Sequence, residues 1–465
     1  MKPLRIVMIE PRSSGEHVFS RYVLPRLGLP VLAKVARRLG HRPKVFIEQH
    51  VRATDGDIAG ADIVFVSTIT ATAPAAYRIA ERARRAGKPV VMGGPHVTFL
   101  DEEALEHCDY VVRGEGELVL SALLEMLQGK VAPEQVPGLS WKLDGKVMRN
   151  LFPPPVAMDE VPPIDVAAME GRFGMWFPRG VLPVQTSRGC PHRCKFCSVT
   201  PVFGHRLRFA SPEKVADDLE RLRGLGDKLF FYDDNFCASP GRTKRLLEYL
   251  LANNVFLPPW TAQVSVRAAR DEEMLALMSR AGCRTVFVGF ESVNPETLDA
   301  FRKDQKLEDI RLAVEKFHRY GIRVHGMFVV GADADDRSSV SATAAFCKRT
   351  GIDTVQILVL TPLPGTEVFE ELQAQGRLIT RDWSLYDAHH AVFRPARMRP
   401  DELTKAAFAA MKKFYARSRL AAALLRADFY RAALGLYARR QLRRWIRRNR
   451  RILRQLRRIP ALEAG

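Results

Sequence analysis

Three cysteines show where the chemistry of this 465-residue chain has to be sought. Cys190, Cys194 and Cys197 stand in SRGCPHRCKFCSV with C-x3-C-x2-C spacing, and the chain holds only seven cysteines in all. Three thiolates on one short loop suit three irons of a cubane cluster and leave the fourth iron without a protein ligand, a position where a small molecule can bind. A tetrahedral zinc site needs a fourth ligand. No second C-x2-C follows, so only His192 or His205 could supply it. An odd count with three cysteines crowded between 190 and 197 argues against a disulfide framework. Cys237, Cys283 and Cys347 read as small buried hydrophobes.

The cysteine loop follows the first strand of an alternating series. LPVQTS (182–187), KLFFYDD (228–234), WTAQVS (260–265), TVFVGFE (285–291), RVHGMFVV (323–330) and TVQILVL (354–360) are separated by helical stretches such as SPEKVADDLERLRGLG (211–226). Six such units predict a partial (β/α)6 barrel over 181–395, with its chemistry at the carboxyl ends of the strands. Upstream, LRIVMIE (4–10), PKVFIE (43–48), DIVFVST (62–68), PVVMGG (89–94) and DYVVRG (109–114) are nearly continuous apolar runs, as expected of strands covered on both faces. They predict an α/β protein that begins with a doubly wound, Rossmann-like parallel sheet over 1–150. Ligands of such sheets bind beyond the strand ends, where Ser67, Thr68, Gly93, Gly94, Pro95 and His96 fall. Prolines 153–155, 162 and 163 mark a linker over 151–180, and 396–465 reads as helical and basic.

The formal charge of +20 is unevenly placed: residues 411–460 hold two Lys and fifteen Arg against Asp428 alone. The body is therefore near neutral, and the tail's partner is anionic. Leu442, Trp445, Ile446, Ile452, Leu453, Leu456 and Ile459 recur at helical spacing among the arginines, which predicts a helix lying in a membrane interface. Docking on the protein's own barrel is the alternative. Nucleic acid is disfavoured because stacking residues are few, essentially Tyr437 and Trp445. With no apolar run near 18 residues and no signal-peptide pattern, the expected location is cytoplasmic, peripheral on the inner membrane face.

C-x3-C-x-φ-C, with Phe196 before the last cysteine, resembles the signature of radical S-adenosylmethionine (SAM) enzymes, here of the subfamily with an N-terminal cobalamin-binding domain. The resemblance implies a [4Fe-4S] cluster on Cys190, Cys194 and Cys197, SAM chelated by the free iron, a 5′-deoxyadenosyl radical, and a flavodoxin or ferredoxin-type electron donor. It places Asp233 and Asp234 of YDDNF at the SAM amino group, Gln263, Arg267 and Glu291 near the carboxylate and ribose, and Gly331 under adenine. The run GGPHVTFLDEEALEHCDYVVRGEGE (93–117) resembles the subfamily's cobalamin domain, yet residues 1–127 contain no D-x-H-x-x-G string. Cobalamin without a protein imidazole below the cobalt is implied, His17 and His96 being the only histidines placed to substitute. The run 327–395 resembles a branch that includes hopanoid methylases, and DWSLYDAHHAVF is expected to close the barrel mouth, with Tyr386, His389 and His390 either facing a small-molecule or lipid-like substrate or serving core packing and capping.

The expected function is cobalamin-dependent methylation of an unactivated carbon. An oxidative cyclase or ring-rearranging enzyme with the same cofactors is the alternative. An RNA-modifying methylthiotransferase ranks low, since residues 1–189 contain only Cys108. A non-catalytic nucleic-acid-binding module would explain the arginines but not the cysteine loop.

Overall fold

The computed structural model describes residues 2–13, 24–171 and 180–462. Five parallel strands, β1 (Arg5–Glu10), β2 (Arg42–Ile47), β3 (Ile63–Ser67), β4 (Val90–Gly93) and β5 (Tyr110–Val112), form a sheet in the order β2-β1-β3-β4-β5. The apolar runs are continuous because both faces are covered. Ile6, Met8, Ile63 and Phe65 enter one core with Leu29 and Leu123, while Val7, Ile9, Val64 and Val66 enter the other with Ala76 and Ile79.

The sheet is not purely parallel. A hairpin of β6 (Leu139–Leu143) and β7 (Lys146–Arg149) pairs antiparallel on β5. Its turn carries Asp144 at φ +50° and Gly145 at φ +78°, so the Asp-Gly pair was the signal for a hairpin that the helix-and-strand alternation concealed.

The second sheet runs β8 (Val181–Val184), β11 (Lys228–Phe231), β12 (Trp260–Val264), β13 (Cys283–Glu291), β14 (Arg323–Val330) and β15 (Thr354–Val359), every pair parallel, which is the six-unit open barrel. Between β8 and β11 the short strands β9 (Ser187–Arg188) and β10 (Arg208–Phe209) pair antiparallel and close the base of the cysteine loop. The proline-rich stretch crosses between the sheets packed against both: Val156, Met158 and Val161 join the barrel core, and Ala168 and Met169 the N-terminal one.

Two expectations for the C-terminal third are corrected. Trp383, Tyr386 and Val392 do not line the barrel mouth; they pack on the helical face of the N-terminal sheet, and Trp383 Nε1 donates to Glu103 at 2.7 Å. His389 and His390 lie under Trp445, with ring centroids 5.8 and 4.7 Å away, and His390 Nε2 lies 3.1 Å from Asn449 Oδ1. The apolar stripe of the tail is likewise used internally. Leu442, Trp445, Leu453 and Leu456 are buried, Ile452 and Ile459 are half-buried, Ile446 stays exposed, and Trp445 stacks on Phe408 at 4.2 Å. Docking an indole and three leucines against the barrel takes their apolar surface out of water. Among the described residues no helix is long and apolar enough to cross a membrane.

Candidate active site between the two sheets

The cysteine loop is held at both ends. Gly189 sits at φ +90°, where a Cβ would lie 2.4 Å from the Arg206 carbonyl, so glycine is required for the loop to leave β9. Cys197 N–H donates to the Cys194 carbonyl at 3.1 Å, and Phe196 packs on Phe301 with centroids 4.8 Å apart. Burial raises all three thiols, that of Cys197 to about 12. Such thiols carry no charge at neutral pH, and a positively charged acceptor is needed to draw them off as thiolates. A donor set of three cysteines without a fourth fits a cluster with one open iron.

Lys303 completes this set and was not anticipated. Its ammonium bonds Glu291 Oε1 at 2.8 Å and lies within electrostatic reach of Cys190, Cys194 and Cys197. Burial opposes that charge, and Glu291 with the cysteines outweighs burial and holds Lys303 above its ordinary value. Three thiolates brought onto a cluster are thereby partly neutralised. Glu291 stands at φ +59° after an irregularity in the β13–β14 register, a strained position for a non-glycine residue. It is committed to Lys303 rather than free for a ribose.

The two adjacent aspartates at the end of β11 part company. Asp233 accepts four hydrogen bonds, from the backbone N–H and hydroxyl of Thr186 (both 2.6 Å) and of Ser187 (3.1 and 2.8 Å). That fills a carboxylate's capacity, so Asp233 braces the chain before the cysteine loop and is not a SAM ligand. Asp234 points the other way, into a cavity of about 310 Å³ between the two sheets, and its Oδ2 has no partner. Burial first, then the neighbouring Asp233, pushes it up to about 7. For Asp234→Asn in the cofactor-free protein we expect a gain of about 4 kcal/mol in unfolding free energy at pH 8 that fades on acidification through pH 7 and is gone below pH 4. The sign follows because burial disfavours the charged carboxylate only in the fold. Unfolding curves at pH 8 and pH 4 check it, and an equal effect at both would show that the charge is not the cause.

The other expected site residues divide in the same way. Ser67, Gly93, Gly94 and Pro95 line the cavity. Gly94 is set by the turn, since at φ +103° its Cβ would lie 2.5 Å from the Thr68 carbonyl; Gly93 is the position open to a ligand. Thr68 is buried and pins β3 to β4, its hydroxyl donating to the Gly93 carbonyl at 2.9 Å. His96 is corrected: its ring nitrogens lie 3.1 Å from the Tyr77 hydroxyl and 3.3 Å from the Thr70 hydroxyl, buried away from the cavity, so it cannot approach a metal there. His17 lies outside the described residues. Gln263 reaches back to the Asp233 carbonyl at 3.5 Å, and Arg267 pairs with Asp304 on the surface. Gly331, at φ +114°, faces Leu403 and donates its N–H to Asp335 at 2.8 Å.

The cavity's walls suit a large flat ligand rich in amides. Gly93, Gly94, Gly114 and Gly116 present side-chain-free backbone, Phe65, Met92 and Leu123 an apolar floor, and the buried Arg26 Nη1, like Asp234 Oδ2, has no partner. Arg188, two residues before Cys190, spans the gap between the sheets. It donates to Glu115 at 2.7 Å and Glu117 at 2.6 Å, and Arg208 joins Glu115 at 2.8 Å. Burial opposes these charges, and the pairing outweighs it, holding Arg188 above and Glu115 below their usual values.

A radical SAM superfamily model matches residues 184–372 and a B12-binding domain model residues 20–124. An uncharacterized methyltransferase of Pyrococcus horikoshii is 33% identical over 441 residues, covering 90% of this chain and 94% of that protein. The chain belongs to the cobalamin-dependent radical SAM methyltransferase family. Bacteriochlorophyllide d C-12(1)-methyltransferase of Chlorobaculum tepidum is 30% identical over 85% of this chain and 84% of its own length. Hopanoid C-3 methylase of Methylococcus capsulatus is 29% identical over 81% and 73%. The fold is shared with a radical SAM methyltransferase from Kitasatospora setae, TsrM, solved with cobalamin and a [4Fe-4S] cluster (TM-score 0.66, 19% identity, 80% of this chain and 78% of that one). Membership of this family makes the protein a radical SAM enzyme that uses a [4Fe-4S] cluster, SAM and cobalamin.

Proposed function

We propose that this family member methylates an unactivated carbon of a small, largely apolar molecule held between the cysteine loop and the cavity of the N-terminal sheet. The observation that carries the reading is Asp234, which lines that cavity while lying within electrostatic reach of Cys190 and Cys197, so the cavity and the cysteine loop are neighbours across one side chain. Bound together, the cluster with SAM supplies a hydrogen-abstracting radical and cobalamin a transferable methyl group. Cys190, Cys194 and Cys197 would hold the cluster, with Lys303 balancing their charge. Gly93 and Gly116 would let the corrinoid approach the backbone. Arg188, through Glu115 and Glu117, fixes the distance between the two halves, and the apolar floor excludes water from a carbon radical.

A one-electron donor of the flavodoxin or ferredoxin type completes the reading, and so does contact with a membrane surface from which an apolar substrate is drawn. The relatives named for hopanoids and bacteriochlorophyllides support methyl transfer to a carbon of a small molecule. The reduced, reconstituted enzyme is expected to release both S-adenosylhomocysteine and 5′-deoxyadenosine and to add about 14 Da to its substrate. 5′-Deoxyadenosine with no S-adenosylhomocysteine and no mass gain would favour the cyclase alternative instead.

A further inference from the structure

The outward face of the C-terminal helices is apolar at one end and cationic along the rest. The helices Arg417–Leu425 and Phe429–Arg448 form a hairpin pinched at Gly435, where any Cβ would lie 2.2 Å from Leu420 Cδ2. With Leu442 and Trp445 turned inward, Phe429, Ala433, Leu436, Arg440, Arg443 and Arg447 are all exposed, and their 4-3-4-3-4 spacing puts them in one outward stripe. That stripe is about 27 Å long, at 1.5 Å per residue. Around its start Leu425 is 89% exposed, Phe429 69%, Leu436 65% and Leu424 56%, an accumulation of large apolar side chains at one hairpin tip that water alone would not favour.

We infer that this hairpin is a membrane-docking element for an anionic lipid surface, its tip residues Leu424, Leu425, Phe429 and Leu436 entering the acyl boundary and Arg440, Arg443 and Arg447 binding headgroups. The inference deepens the reading of an enzyme that draws its substrate from a membrane, and it assigns the contact to a face different from the Leu442–Trp445 stripe. Charge selects the occupant: the segment 411–460 carries seventeen cations against one acid, which fits a negative surface and repels a second copy of itself. The tip selects between anionic partners. Exposed leucines gain free energy in a lipid interface and gain little on a nucleic acid, which would be met by stacking aromatics.

The test is sedimentation of the full-length protein with vesicles of phosphatidylcholine alone or with phosphatidylglycerol, beside a gel shift with a structured RNA. Partitioning onto the anionic vesicles is expected to exceed that onto neutral ones by tenfold or more, at about 1 kcal/mol per arginine near the surface. Leu425→Glu with Phe429→Glu, and separately Arg440, Arg443 and Arg447→Gln, are each expected to reduce it by tenfold or more with an unchanged melting temperature, because all five residues are exposed. No preference for anionic vesicles, a tip variant that pellets like the unmodified protein, or RNA binding in place of vesicle binding would each overturn the inference. Since the assay involves no turnover, its failure leaves methyl transfer standing, and failure of methyl transfer leaves the membrane contact standing.

Discussion

Alanine at Cys190, Cys194 or Cys197 abolishes reductive cleavage of SAM, a loss of at least about 10³-fold, which is the size expected when a first-sphere ligand of the reacting metal is removed. No other cysteine is placed to substitute. Cys237, Cys283 and Cys347 are buried in the barrel core, and Lys303, which lies near all three thiols, is a cation and cannot ligate iron while protonated. Iron content and 5′-deoxyadenosine formation under reducing conditions measure the effect. The control is Cys237→Ala, whose thiol contacts Met278 Sδ at 3.8 Å and serves only packing; it retains cleavage. Cleavage persisting in Cys194→Ala would remove the cluster from this loop.

Arg188→Met is the substitution expected to cost most in stability, about 3–5 kcal/mol, because it leaves Glu117 buried without its cation and Glu115 with Arg208 alone. The Arg188, Glu115 and Glu117 side chains are each less than one-tenth exposed, so solvent cannot replace the lost partner. The effect is specific to the pairing. Glu117→Gln in the Arg188→Met background should recover part of the loss, with a coupling of at least about 1 kcal/mol in a double-mutant cycle. Because Arg188 ties the end of the N-terminal sheet to the strand that feeds the cysteine loop, the variant also loses corrinoid and iron together, read from the absorption spectrum of the reconstituted protein. Unchanged unfolding and unchanged corrinoid would show that the two sheets are held by other contacts.

The cofactors and both parallel sheets were legible in the sequence for a local reason. The cysteines of the cluster loop lie within eight residues of one another, so their spacing points to a metal cluster, and the motif they form carries the family resemblance that implies the cofactors. Strands buried on both faces must likewise be apolar without interruption, which marks them wherever they fall. Other choices belonged to the tertiary structure because they depend on partners far away in the chain. Asp233 and Asp234 are identical in type and adjacent; only the arrival of Thr186 and Ser187 beside one and of an open cavity beside the other makes the first a brace and the second a cavity-facing acid. His96 stands in a glycine-rich turn that suggests a cofactor, yet Tyr77 and Thr70, 19 and 26 residues away, occupy its ring nitrogens. An amphipathic stripe records that a face must be buried and not what buries it. For Leu442 and Trp445 the barrel's own Phe408 and His390 arrive first, and docking that face leaves Phe429, Leu436 and Arg440 turned outward.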